Sequence, residues 1–298
     1  MATETERVRD RARETGTDRV AWFGQTKAFA VRNLRTMVRT KATLIWGFGF
    51  PAFWYLLTSA MFLPGADQVG GAAVLADVKG ATAVSLGLFG VLTVTLVAFA
   101  SGLSIDVTEK RYRKLRSLPV APSADFAGRF LAGIAVAAVS YAVVLAVGSL
   151  DGADYALRSP ASVGVVAGSF VLFSLVGVSV AVLVTWVVAD PEMVTGITNA
   201  ILLVTFFLTG YNGMTPGMLP EKTRWVVNVA PNALAARLEM YHLTETAATA
   251  SRTRGGVTPP PLPTGPEHVA LLAGWALVLG AAATVLMDRG IYAGEAGE

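Results

Sequence analysis

The densest run of Lys and Arg in this chain lies in the segment EKRYRKLRSLPVAP from Glu109 to Pro122, where Glu109 is followed by Lys110, Arg111, Arg113, Lys114 and Arg116. Tyr112, Leu115 and Leu118 recur among these at near-helical spacing, and Pro119 ends the run. Such a segment holds no nucleophile with a base beside it, so its chemistry is recognition. A short helix over 106–118 with an apolar ridge and a charged surround suits a cleft on another protein, through which rigid-body motion can pass. A basic loop resting on anionic lipid accounts for the same residues equally well.

Elsewhere the absences decide more than the presences. The chain has no GxxxxGK[ST] loop to cradle a nucleotide, no GxSxG elbow and no cysteine to supply a thiolate or a metal ligand. Its two histidines, His242 and His268, belong to no HExxH pair or acid cluster. Ser85, Ser101, Ser140, Ser174 and Ser179 fall in apolar stretches without a His or Lys partner, which favours helix packing over catalysis. No catalytic residue and no metal site are expected.

The elements that must position the basic segment follow from composition. With 53% hydrophobic residues, 15% charged residues and a mean hydropathy of +0.55, the chain falls well short of the ~25% charge of a soluble domain. Runs of about 20 apolar residues are long enough to cross about 30 Å of hydrocarbon. They fall near 42–63, 81–105, 126–148, 162–188, 193–211 and 268–287, the fourth and fifth being divided only by Asp190-Pro191-Glu192. Arg129, near the start of the third, is read as snorkelling to the interface.

Ten of the 24 Lys and Arg residues precede Ala42 and five more lie between Asp106 and Asp125, whereas the short loops after the first and third spans hold one each, Lys79 and Arg158. Basic flanks mark the cytoplasmic side, so both termini and the 106–125 loop are placed inside. The net charge of +3 is accounted for by these membrane flanks rather than by nucleic acid. The chain therefore divides into a disordered tail at 1–18, an interfacial amphipathic helix at 19–41, one membrane domain at 42–290 and a C-terminal tail at 291–298. Val20, Phe23, Val31, Leu34 and Val38 supply the apolar side of the interfacial helix. Between Thr215 and Leu243 two short amphipathic helices are expected to dip into the outer face.

Ion-coupled transporters place ionisable residues inside their spans, and the interiors of these six hold none. The strongest polar group at depth is Asn199, with Thr195, Thr198, Thr205 and Thr209 on the same span. Energy must then come from elsewhere, most simply from an ATPase docked on the inside. Asn199, Phe206, Phe207 and Tyr211 are candidates to line a substrate path, with ordinary helix packing as the simpler role for each.

At this point the chain resembles the permease subunits of ABC-2 type exporters, in particular those of the daunorubicin-resistance type, over about residues 20 to 290. The likeness rests on the layout, on Glu109-Lys110 followed by Leu115 four residues ahead of Pro119, and on Trp225 followed by Pro231. Ala230 stands where the family has Asn, and Arg111 and Tyr112 stand near the family's Gly-Thr. The resemblance implies an all-α membrane protein with six transmembrane helices, an N-terminal interfacial helix, a cytoplasmic coupling helix and short re-entrant helices before the last span. It further implies that Glu109, Lys110, Arg111, Tyr112, Arg113, Lys114, Leu115 and Leu118 couple to an ABC ATPase subunit, which would bind ATP and Mg while this chain binds no cofactor. A second permease subunit, identical or related, would complete an exporter of hydrophobic or amphipathic cargo in the plasma membrane. A secondary transporter or channel driven by an ion gradient, and a membrane enzyme acting on lipids, are the competing classes.

Overall fold

The computed structural model describes residues 4–188, 190–208, 222, 225–244 and 266–292, and every described element beyond turns is helical. Helix α1 spans Glu4–Arg39, so it begins inside the stretch read as a tail. After a break at Thr40, α2 covers Lys41–Met61, α3 Ala72–Thr108, α4 Arg111–Arg116, α5 Pro122–Leu150, α6 Pro160–Val187, α7 Pro191–Leu208, α8 Pro231–Leu243 and α9 Pro266–Tyr292. Proline opens α5, α6 and α8 at their first turns, where its missing N–H costs nothing. Ser159 and Ser162 form a capping box at α6, and the Asp190 carboxylate accepts from the N–H groups of Glu192 and Met193 at 3.1 and 2.9 Å to start α7.

Among the described residues five helices, α2, α3, α5, α6 and α9, are long and apolar enough to cross a membrane, and the described part of α7 is a shorter apolar helix. They do not share burial equally. The apolar window of α3 is 89% buried against 17% for α2 and 22% for α9, so α3 is the axis and the others wrap it. Exposed Phe53 and Leu56 on α2 and Leu277 and Val278 on α9 then face lipid.

Helix α3 starts at Ala72, nine residues before the expected span, and it takes in Asp77 and Lys79. A charge-free window cannot see this, because the helix absorbs the charge by pairing. Lys79 Nζ donates to the Asp151 carbonyl at 2.7 Å and sits 3.1 Å from its carboxylate, which also accepts from Tyr55 and Ser59 on α2. Lys79 is therefore a helix residue that ties α3 to the end of α5, not a loop cation.

Two local irregularities bring helices together. Pro51 has no N–H to give to the Gly47 carbonyl, and a π turn over Ile45–Gly49 precedes it. The Gly47 carbonyl accepts instead from Ser140 Oγ on α5. On the other side of α5, a Cβ at Gly128 would fall 2.5 Å from Phe29 Cβ and 2.7 Å from the Thr26 carbonyl oxygen, so glycine lets α1 lie directly against α5. Trp22 Nε1 donating to Ser123 at 3.0 Å, and Gln25 bonding the Pro119 carbonyl and the Ala121 N–H, fix that contact. Phe23, Val31, Leu34 and Val38 stay exposed along α1.

Candidate functional site

The basic segment is not one helix over 106–118. Helix α3 runs on to Thr108, Lys110 takes a left-handed conformation at φ +56°, and α4 occupies only Arg111–Arg116. A non-glycine residue in that region is uncommon, and here it marks the sharp turn between the two helices. The turn folds Tyr112 back into the bundle. Its side chain is buried, its ring meets Tyr292 of α9 edge-on at 4.9 Å, and its hydroxyl donates to Asp125 at 3.2 Å. Burial pushes the Tyr112 phenol well above its usual range, outweighing the nearby Arg129 charge, so it remains a donor.

Beneath Tyr112 lies a connected set of charges. Arg129, from the first turns of α5, reaches Asp125 at 3.0 Å and Asp106 at 2.5 Å. Asp106, near the end of α3, also receives Arg111 at 2.5 Å and Arg32 of α1 at 3.4 Å. Arg111 in turn reaches Glu109. One polar knot thus joins α1, α3, α4 and α5, with α9 packed on it through Tyr292. Arg129 does not snorkel: it is 5% exposed and held between two carboxylates. The Asp125–Arg129 spacing of four was the legible signal for this pairing.

The expected apolar ridge is consequently divided. Tyr112 and Leu115 turn toward the bundle, whereas Glu109, Lys110, Arg111, Arg113, Lys114 and Leu118 are exposed. What α4 offers outward is a charged face with one leucine at its end.

A cavity of about 650 Å³ lies between α1, α2, α3 and α7, and its floor is this same knot. Arg32, Asp106, Arg111 and Arg129 line one end; Trp46, Phe50, Phe89 and Leu202 form apolar walls; Asn199 and Thr195 add polar groups partway up. Of the path residues read from the sequence, Asn199 faces the cavity. Phe206 stands behind its wall, buried with its ring 4.4 Å from that of Phe89. Phe207 lies on α7 with a side chain outside the described set, and Tyr211 lies outside the described residues altogether. Two groups the sequence reading missed, Trp46 and Arg32, line the cavity because α1 and α2 fold back beside α3.

The opposite end of the bundle carries a second polar region around α8. This helix is not amphipathic, for Asn232 to Met240 are all buried where it wedges among α3, α6 and α9. Glu239 comes with it, accepting from Ser169 of α6 at 3.0 Å, with Tyr141 of α5 facing the same carboxyl. Burial pushes that carboxyl from its usual 4.5 up to about 8, against the lowering effect of the Tyr141 and Ser169 hydroxyls. The folded chain therefore holds a proton that the unfolded chain releases above about pH 4.5, and stability falls as pH rises toward 8 by at most ~1.4 kcal/mol per unit. Glu239→Gln carries no such proton. Its melting temperature between pH 5 and 8 is expected to run flatter than that of the parent, and equal slopes would show that Glu239 is ionised in the fold.

At the rim, Arg158 donates to the Tyr241 carbonyl at 2.6 Å and lies 4.0 Å over the Tyr241 ring. Burial, with the Arg158 charge behind it, lowers His242, and its Nδ1 meets Ser162 Oγ at 2.9 Å. That serine is buried inside the α6 capping box, so the pair closes a helix end rather than activating a nucleophile. Among the described residues no group of His, Cys, Asp and Glu could hold a metal.

The family model described as ABC-2 type transporter matches residues 24–241, from α1 through most of α8. No curated protein matches the chain.

Proposed function

Because this chain belongs to the ABC-2 type transporter family, we propose that it is the permease subunit of an ATP-driven exporter of the daunorubicin-resistance type, carrying hydrophobic or amphipathic cargo. Two permease subunits, identical or related, enclose the path, and two ABC ATPase subunits holding ATP and Mg drive it. Six spans cross the plasma membrane, α7 joining the five longer helices as the fifth in chain order, and both termini lie in the cytoplasm. That orientation is supported by the basic residues gathered on α1 and α4. In it α8 is re-entrant from the outer side, where buried neighbours satisfy its polar groups, and α1 lies at the inner interface.

The observation that carries this reading is the knot under α4. A helix of six residues on a flexible loop could not transmit force, but α4 is clamped through Asp106, Arg111, Tyr112 and Arg129 to α1, α3 and α5, with α9 against it. Its outward residues Glu109, Lys110, Arg113, Lys114 and Leu118 form the docking face, while Arg111, Tyr112 and Leu115 pass the movement inward. Because the knot is also the cavity floor, displacement of α4 changes the cavity directly. Asn199 and the aromatic walls then touch cargo, and Phe206, Phe207 and Tyr211 continue the path outward.

Co-expression with candidate nucleotide-binding subunits tests the reading. A stable complex whose ATP hydrolysis responds to the permease supports it. Transport by the chain alone on a proton or sodium gradient would favour a secondary transporter.

A further inference from the structure

We propose that the cavity between α1, α2, α3 and α7 receives an anionic amphiphile, with its acidic headgroup against Arg32 and Arg111 and its chain between the aromatic walls. This names a cargo class for the permease reading and rests on it.

Charge is the first support. Residues 21–41 hold Lys27, Arg32, Arg35, Arg39 and Lys41 with no acid, and residues 106–129 hold six Lys and Arg against Asp106, Glu109 and Asp125. The end of the bundle that carries the cavity floor is therefore strongly positive. A cationic headgroup brought there meets repulsion, and a neutral one leaves the field unanswered.

Hydrogen-bonding capacity is the second. Among the described lining residues Asp106 is the only carboxylate, and it already receives three guanidinium groups. Arg129 is further engaged by Asp125, and Arg111 by Glu109. Among the described residues Arg32 has a single long bond of 3.4 Å, and its side chain is 38% exposed. A guanidinium offers five N–H donors in a planar fork that matches a carboxylate or a phosphate, so Arg32 has most of its capacity left to give. Shape is the third. The floor is polar while Trp46, Phe50, Phe89 and Leu202 above it are apolar, and about 650 Å³ is within the range of sites that enclose small molecules.

The probe is 9,10-dibromostearate, whose bromines quench tryptophan on contact, titrated into the full chain in phosphatidylcholine nanodiscs. Trp46→Phe isolates the cavity signal from the other tryptophans. The proposal expects saturable Trp46 quenching by the acid, with dibromostearylamine binding at least tenfold more weakly. Arg32→Gln should shift the acid midpoint by roughly tenfold, the scale of one charge-assisted bond, and Arg32→Lys by less. Phosphatidylglycerol that displaces the acid identifies a membrane lipid as the source of the headgroup, and failure to displace it identifies a free amphiphile. Equal saturation by the amine, or Trp46 quenching that only rises linearly with added acid, would overturn the proposal in the parent protein without reliance on any charge variant. Binding is read without nucleotide or partner, so its failure leaves the ATP-driven reading standing, and loss of ATP coupling leaves the binding result standing.

Discussion

Replacing Arg129 by methionine should destabilise the chain by about 3–5 kcal/mol, because it leaves Asp125 and Asp106 buried without their shared cation. The size of the effect comes from what remains, not from what the pair contributed. Two carboxylates with 0 and 6% exposed side chains lose their principal partner, and only Asp106 keeps Arg111 and Arg32. Methionine preserves most of the volume, so the loss is electrostatic. Adding Asp125→Asn to the methionine variant removes one stranded charge and should restore part of the stability. Thermal unfolding of the purified chain in detergent checks both, and a methionine variant melting with the parent would show that the knot is solvated.

Reversing charge on the outward face of α4, as Lys110→Glu, Arg113→Glu and Lys114→Glu together, should reduce capture of a co-expressed nucleotide-binding subunit by at least tenfold. All three side chains are exposed, so the fold has little to lose. Single rim charges contribute on the order of 1 kcal/mol or less, but three reversals replace attraction by repulsion at one small contact. Leu118→Asp, at the exposed end of the same face, should act in the same direction. Undiminished capture by the triple variant with an unchanged melting temperature would place the docking surface elsewhere. The two experiments separate the faces of one short helix: Arg129 variants disturb the clamp from within, and the triple variant disturbs only the surface offered to a partner.

Much of this was legible in the sequence for a simple reason. Hydrocarbon thickness fixes span length, so apolar runs located α2, α5, α6 and α9 to within a few residues, and the Asp190-Pro191 step located the start of α7. The start of α3 was misplaced because Lys79 is neutralised by Asp151 from another helix, and pairing across 72 residues leaves no local trace. The same cause hid the core of the candidate site. Asp106, Asp125 and Arg129 read as flank residues of two spans, and only the turn at Lys110 brings them under Tyr112. Helix α8 misled for the opposite reason. Its interspersed polar residues suggested a wet face, yet α3, α6 and α9 enclose Asn232 to Met240, and Ser169 donates to the Glu239 carboxyl. Asn199 was found because one amide in a span of alkyl and aromatic side chains stands out without any tertiary information. Arg32 was not, since one arginine among the ten cations before Ala42 looks like any other.

The chain contains no cysteine, so Asn199→Cys places a single thiol on the cavity wall. The most direct test is its rate of modification by a membrane-impermeant maleimide applied from the α4 side in nanodiscs that also hold the nucleotide-binding subunit. Power delivered through α4 predicts fast labelling without nucleotide, at least tenfold slower labelling with ATP and vanadate, and no nucleotide effect once the Lys110, Arg113 and Lys114 reversals are added. A labelling rate that ignores ATP in the assembled complex, but changes when the chain alone is reconstituted in liposomes and placed under an ion gradient, would contradict it.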